Sequence, residues 1–192
     1  MIYKQPYKTP EGFDDLWMSG DEEGLTGLWF EGAVNAAGHA DDRILRAGSL
    51  PAFEQTRRWL DRYFAGGQPD FLPAMSIRGV TPFRREVLDE MLAIPYGRTV
   101  SYGAIAGRIA ARRGMANMSA QAVGGAVGWN PIGILIPCHR VIGADGSLTG
   151  YGGGMHNKIA LLALERASAE APDKGRESQN RHPALRPFDN GV

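Results

Sequence analysis

The sequence predicts an α/β (α+β) chain in which a small aromatic-rich sheet is followed by a series of short helices. Three observations predict it. Short apolar runs separated by turn clusters occupy the first thirty residues. Helix-opening signatures, Ser49-Leu50-Pro51, Thr81-Pro82, Ser101 and Ser119, recur down the rest of the chain. The apolar run Ile132 to Ile136 then leads directly to Pro137 and the single cysteine, Cys138.

Taken in order, Ile2 to Tyr7, Phe13 to Ser19 and Leu25 to Glu31 read as strands, divided by Pro10-Glu11-Gly12 and Asp21-Glu22-Glu23-Gly24, which implies a small antiparallel sheet. From Pro51 a helical pattern puts Phe53, Leu60, Tyr63 and Phe64 on one face until Gly66-Gly67 stops it. Positions 68–80 read as an irregular linker. Thr81-Pro82 caps a core helix with Phe83, Val87, Leu88, Met91 and Leu92 at helical spacing. Ser101 can cap a helix to about Arg112, and Ser119 another to about Gly128 before Asn130-Pro131. Two short tandem helices suggest a helix-turn-helix, although the connection Arg113 to Met118 exceeds the usual turn, and a packed helical hairpin fits the pattern as well. Ile132 to Ile136 suits a buried strand, and Asp145-Gly146 between Val141-Ile142 and Ser147-Leu148 signals a hairpin. His156 to Ala167 forms the last helix, and the polar, proline-containing remainder reads as a disordered tail. The division expected is 1–80, 81–167 and 168–192.

Composition excludes several classes. With 192 residues, 43% hydrophobic and 22% charged, the chain is one compact domain, or two small ones sharing a core, and is too apolar for a disordered protein. One cysteine cannot form an internal disulfide. Cys138 and the scattered His39, His139, His156 and His182 lack zinc-ligand spacing, so neither metal nor cofactor is expected. No run approaches the ~18 apolar residues of a membrane span, and the opening lacks a signal-peptide core, so a soluble cytoplasmic protein without membrane contact is expected. Charge balances at 21 basic and 21 acidic side chains, but no acidic residue lies between Met91 and Ala144, where Arg98, Arg108, Arg112, Arg113 and Arg140 fall. A phosphate backbone would tolerate that surface, as would plain solvent.

Two features ask for chemistry. Gly124 and Gly125 inside a helix cost about 1 kcal/mol each relative to alanine, which close approach of another backbone or a nucleic-acid groove would offset. Cys138 sits where the chain leaves an apolar run, beside His139 as a base and Arg140 as a fixed positive charge. A free thiol with a pKa near 8.5 is only a few per cent ionised at pH 7, so nucleophilic use needs such a setting. On a strand, neighbouring side chains face opposite ways, so His139 would act on the sulfur through a turn or a bridging water.

The stretch from Asn130 to Ile142, Gly146 to Gly154 and Lys158 to Glu165, together with Thr81-Pro82-Phe83, Ile94 to Gly97 and Thr99 to Gly103, closely resembles the methylated-DNA-protein cysteine methyltransferase family, which repairs O6-alkylguanine. The resemblance covers 81–165 strongly and 1–80 weakly. It implies an N-terminal ribonuclease-H-like domain and a C-terminal winged-helix-like helix-turn-helix domain. It also implies a double-stranded DNA partner carrying O6-alkylguanine, with O4-alkylthymine as a further substrate, and a monomer that acts once. The implied catalytic set is Cys138 as nucleophile, His139 acting through water, Glu165 orienting it, Tyr102 rotating the nucleotide and Asn130 bracing the turn before the cysteine. DNA contacts would come from Ser101, Tyr102, Ser119, Gln121, Ala122, Gly125, Ala126 and Arg140. The alkyl pocket would be lined by Tyr102, Val141, Tyr151, Gly152 and Gly153.

Most members carry arginine where this chain has Gln121, to fill the space left by the flipped base; glutamine lacks that charge and planar stacking surface. This keeps open a rival, a lesion-binding sensor with little transfer activity. A cysteine hydrolase using Cys138 and His139 is a second rival, and the sequence offers no independent sign of the oxyanion hole it would need.

Overall fold

The computed structural model describes residues 1–33 and 45–170. Strands β1 (Ile2–Tyr7), β2 (Leu16–Asp21) and β3 (Gly24–Phe30) pair antiparallel, near the expected positions. The sheet has a fourth strand that the pattern did not announce. β4 (Leu45–Ala47) runs parallel to β1, so the order is β3-β2-β1-β4 and the sheet is mixed. Its three residues are too few for an alternation signal.

Helix α1 (Pro51–Phe64) buries Phe53, Trp59, Leu60 and Tyr63. Helix α2 (Pro82–Leu92) opens with Thr81 Oγ1 accepting the Arg84 N–H at 3.3 Å and buries Val87, Leu88, Met91 and Leu92. Serine hydroxyls also cap α3 (Tyr102–Arg112) and α4 (Ala120–Gly128), where Ser101 accepts from Ala104 N–H at 3.1 Å and Ser119 from Ala122 N–H at 3.3 Å. Ile105, Ile109, Val123 and Val127 turn from these helices into the core. Helix α5 (Met155–Glu170) passes through 168–170, positions that the sequence assigned to the tail; 171–192 lie outside the described residues.

Two expectations fail around the cysteine. Ile132 to Ile136 is buried but is not a strand. It curls back through Ile136 N–H to Ile132 O at 3.1 Å, with Ile134 in the left-handed region at φ 65°. A β-branched residue adopts that conformation only when its surroundings impose it. Nor do Val141-Ile142 and Ser147-Leu148 form a hairpin ladder. Val141–Ile142 instead pairs parallel with Val100–Ser101, as β6 and β5, and the turn is closed by Gly143 N–H to Ser147 O at 2.8 Å and Gly146 N–H to Gly143 O at 3.1 Å.

The outer edge of β3 joins the two halves. Leu25 exchanges hydrogen bonds with Ala74 O and Ser76 N–H, both 2.8 Å, so the expected linker covers part of that edge. Leu28 N–H reaches Pro131 O at 2.9 Å and Leu28 O accepts Gly133 N–H at 2.8 Å. An edge strand's unpaired groups are thereby satisfied by the turn that precedes Cys138. One hydrophobic cluster runs from Met18 and Phe30 through Phe53 and Leu60 to Met91, Ile109, Ile136 and Leu161.

A shared core should unfold as one unit. Urea denaturation followed by tryptophan fluorescence and by far-UV circular dichroism should give coincident single transitions, with Leu28→Ala lowering stability by about 2–5 kcal/mol. Two separated transitions in the natural protein would mean that the halves are independent.

Candidate active site

Pro137 ends the apolar turn, and Cys138–Arg140 forms a single 3₁₀ turn rather than the expected strand. The turn separates three consecutive side chains. Cys138 is partly accessible on the floor of a cavity of about 90 Å³, His139 is fully buried behind it, and Arg140 is 8% exposed.

Tyr102, Asn130, Tyr151, Gly152 and Gly153 line the cavity with Cys138. The opposite wall was not anticipated. Leu16, Leu28 and Phe30 from the N-terminal sheet close it, so the thiol sits between the halves. Asn130 spans the preceding turn, donating from Nδ2 to Ile136 O at 2.8 Å and accepting Ile132 N–H on Oδ1 at 3.1 Å. Burial pushes the Cys138 thiol above its ordinary value, opposed by hydrogen bonds from Asn130 and Tyr151 and by the charge of Lys158. The resting sulfur is therefore a thiol that needs a base.

Behind the thiol lies a saturated carboxylate. Glu165 Oε1 accepts from His139 Nε2 at 2.8 Å, from Tyr63 Oη at 2.7 Å and from Arg140 Nη2 at 2.9 Å; Oε2 accepts from Arg140 Nε at 2.9 Å and Gly97 N–H at 3.1 Å. Burial would raise the Glu165 pKa, but the hydrogen bonds and charges of His139 and Arg140 outweigh it and hold the carboxyl well below its usual range. Burial lowers His139, against the pull of Glu165. A neutral imidazole beside an ionised carboxylate results. Because the carboxylate only accepts, the shared proton sits on Nε2 and leaves Nδ1 as the acceptor. Among the described residues Nδ1 has no hydrogen-bond partner.

Three site residues chosen from sequence do not stand where they were expected. Arg140, expected at a DNA surface, is consumed by Glu165 and by Ile94 O, which takes Nη1 at 2.8 Å. Ala126, also expected there, faces the core at 4% exposure because helical spacing puts it beside Val123 and Val127. Val141 does not line the cavity; its backbone pairs with Val100, and its carbonyl takes Lys158. The arginine-rich stretch is also less cationic in space than along the chain. Arg108 and Arg112 both pair with Glu90, and Arg113 with Glu86, acids that α2 brings from outside the stretch.

The outer face of α4 is left to Gln121, Ala122 and Gly125, all exposed, beside the cavity-lining Gly124 and Gly128. A methyl group at Gly124 would meet the Tyr102 ring at an ordinary 3.8 Å, and one at Gly125 would meet nothing within 4 Å. Internal packing therefore does not require either glycine.

Sequence reading missed Lys158, Asn157 and Tyr63. Lys158 is fully buried, donating to Val141 O at 2.8 Å and Thr149 O at 3.1 Å, with burial lowering its pKa and Cys138 opposing that. Asn157 ties Gly153 O, at 2.7 Å, to Asp14 of the N-terminal half, at 2.8 Å. A signal existed, since Lys158, Leu161 and Glu165 share one helical face and a charge on a buried face needs a partner.

Residues 82–167 match the model of the 6-O-methylguanine DNA methyltransferase DNA-binding domain. A methylated-DNA–protein-cysteine methyltransferase of Haemophilus influenzae is 37% identical over 92% of this chain and 92% of its own length. The chain belongs to that family. A Mycobacterium tuberculosis methylated-DNA–protein-cysteine methyltransferase is 50% identical over 62% of this chain and 69% of its own. The crystal structure of Mycobacterium tuberculosis OGT in complex with DNA superposes with a TM-score of 0.73 at 38% identity, over 86% of this chain and 94% of that one. Among the described residues of this methyltransferase-family chain, no helix is long and apolar enough to cross a membrane.

Protonation at this site should control stability. His139 lies below its ordinary 6.5 and Glu165 below its ordinary 4.5, so in acid the unfolded chain binds these protons before the folded one. Stability should thus decline as pH falls below 6.5 and further below 4.5. At pH 7, Glu165→Gln, which strands the buried Arg140, should cost about 3–5 kcal/mol by urea titration. A loss below about 1 kcal/mol would show that the carboxylate does not hold the site together.

Proposed function

We propose that this chain repairs DNA by direct, irreversible transfer of the alkyl group of O6-alkylguanine in duplex DNA to Cys138. One observation carries the reading: a thiol at the floor of a cavity, backed by a neutral histidine whose other nitrogen is fixed by an ionised carboxylate.

His139 Nδ1 takes the thiol proton through a bridging water. The thiolate sulfur attacks the alkyl carbon, the bond from that carbon to O6 breaks, and the departing guanine takes up the proton. Thiol and alkylated base become thioether and guanine. Lys158 places a positive charge near the sulfur, favouring thiolate at the moment of attack. Tyr102, at the start of α3 and in the cavity wall, turns the nucleotide and steadies the departing base. O4-alkylthymine suits the same attack because its alkyl group is likewise carried on an exocyclic oxygen of the base. The product is a thioether, whose carbon–sulfur bond has no thiol–disulfide route back to a free thiol, so each molecule acts once.

The base must leave the duplex to reach the cavity. Ser101 and Ser119 cap the two helices of the helix-turn-helix, and the low face formed by Gln121, Ala122 and Gly125 lies in the minor groove, where the glycine side that faces open space becomes useful. In this reading residues 1–80 form the ribonuclease-H-like half, 81–167 the winged-helix-like half, and the protein works as a cytoplasmic monomer.

Intact mass after incubation with a duplex bearing one O6-methylguanine should rise by one methyl on the natural protein and not on Cys138→Ala. Tight lesion binding without a mass gain would favour the sensor, and repeated turnover a hydrolase. Gln121→Arg should speed single-turnover transfer on duplex by about fivefold to thirtyfold, equivalent to roughly 1–2 kcal/mol of easier base extrusion. An equal or slower variant would remove Gln121 as the weak wedge.

A further inference from the structure

Helix α1 belongs to the N-terminal half, yet one of its side chains reaches the acid–base pair. Tyr63 is fully buried, with its hydroxyl donating to Glu165 Oε1 at 2.7 Å and lying 3.5 Å from His139 Nε2. The same oxygen receives the histidine at 2.8 Å. Its ring is fixed on two sides: Trp59 stacks on it, with centroids 5.1 Å apart and planes 14° apart, and Tyr96 meets it edge-on at 5.9 Å. The hydroxyl therefore has one place to be.

The chemical consequence follows from what an oxygen shared between donors can do. Negative charge on Oε1 would stabilise a proton on Nδ1, turning His139 into an imidazolium that can no longer accept from the thiol. Each further donor to that oxygen draws off some of the charge. Burial and the Glu165 contact hold the Tyr63 phenol well above its ordinary pKa, so it remains a donor throughout the working range. Arg140 serves the same carboxylate, but through a bidentate grip on both oxygens.

We infer that Tyr63 is a positioning residue of the transfer reaction: its hydroxyl competes with His139 for Glu165 Oε1, fixes the Nε2 end of the ring and keeps Nδ1 free of a proton. The assignment rests on the alkyl-transfer reading above and adds to it that the N-terminal half supplies a donor to the acid–base machinery as well as a wall. The titratable and charged groups facing His139 are Glu165 and Lys158 from α5, Arg140 from its own turn and Tyr63 from α1. All but the last are unchanged in a Tyr63→Phe variant.

The test combines two measurements on full-length protein. Single-turnover methyl transfer is followed from pH 5 to 9 with saturating O6-methylguanine duplex, and the ¹⁵N shifts of His139 are titrated in the free protein. Tyr63→Phe should move the acid limb of the rate profile upward by about half a unit or more, lowering the rate at the foot of the limb about threefold while leaving the plateau rate and DNA affinity close to those of the natural protein. The His139 shifts should titrate upward by the same amount. A 3-fluorotyrosine at position 63, a stronger donor of nearly the same shape, should move the acid limb and the His139 titration downward, and it serves if the phenylalanine variant does not fold. Coincident His139 titrations in the natural and altered proteins would overturn the role of Tyr63 whether or not transfer occurs. Failure of the natural protein to methylate Cys138 would instead overturn the transfer reading.

Discussion

Glu165 carries a negative charge to a position that is 1% exposed, and the surrounding architecture answers to that charge. An isolated buried carboxylate would protonate or unfold its surroundings. Here it is met by donors from three parts of the chain: His139 and Arg140 from the cysteine turn, Tyr63 from α1 and the Gly97 backbone from the loop before β5. One side chain on the last helix thereby fixes where the cysteine turn, the first helix and the Pro95-Tyr96-Gly97 loop meet. Such a network is strong only while complete, because any missing member leaves another polar group without its partner.

The same network separates tasks among three consecutive residues. A strand would have sent Cys138 and Arg140 to one face and His139 to the other. The 3₁₀ turn instead leaves the thiol at the cavity, sends His139 inward to Glu165 and folds Arg140 against the same carboxylate. The positive charge that bears on the sulfur comes from Lys158, whose ammonium is held by the backbone carbonyls of Val141 and Thr149. In the proposed reaction this division is useful. Arginine stabilises the orienting carboxylate, lysine favours the nucleophile, and histidine remains neutral between them.

The cavity itself is a property of the interface between halves. Leu16, Leu28 and Phe30 face Tyr102 and Tyr151 across it, and Asp14 reaches over to Asn157, which in turn holds Gly153. The two hydrogen bonds between Leu28 and the Pro131–Gly133 turn keep that wall in register with the thiol. Ile134 sits at positive φ within this turn, so part of the binding energy of the interface is spent on bending the backbone into the cysteine.

By itself the sequence determined the local elements and the reacting groups. Apolar spacing and caps located β1 to β3 and the five helices, because those signals are written within a few neighbouring residues, and the Pro-Cys-His-Arg stretch with Asn130, Tyr151 and Glu165 carried the family. What depends on distant residues was not legible. Ile132 to Ile136 is as apolar as a strand, and only the edge of β3 and the side chain of Asn130 make it a turn. Arg140 looked like a surface cation because the acid that claims it is 25 positions away, and the arginines of α3 because Glu86 and Glu90 lie on another helix. Tyr63 read as one more face of an amphipathic helix. Its hydroxyl acquires a partner 102 positions along the chain only when the core closes, since periodicity reports which side of a helix is buried and carries no information about what waits there.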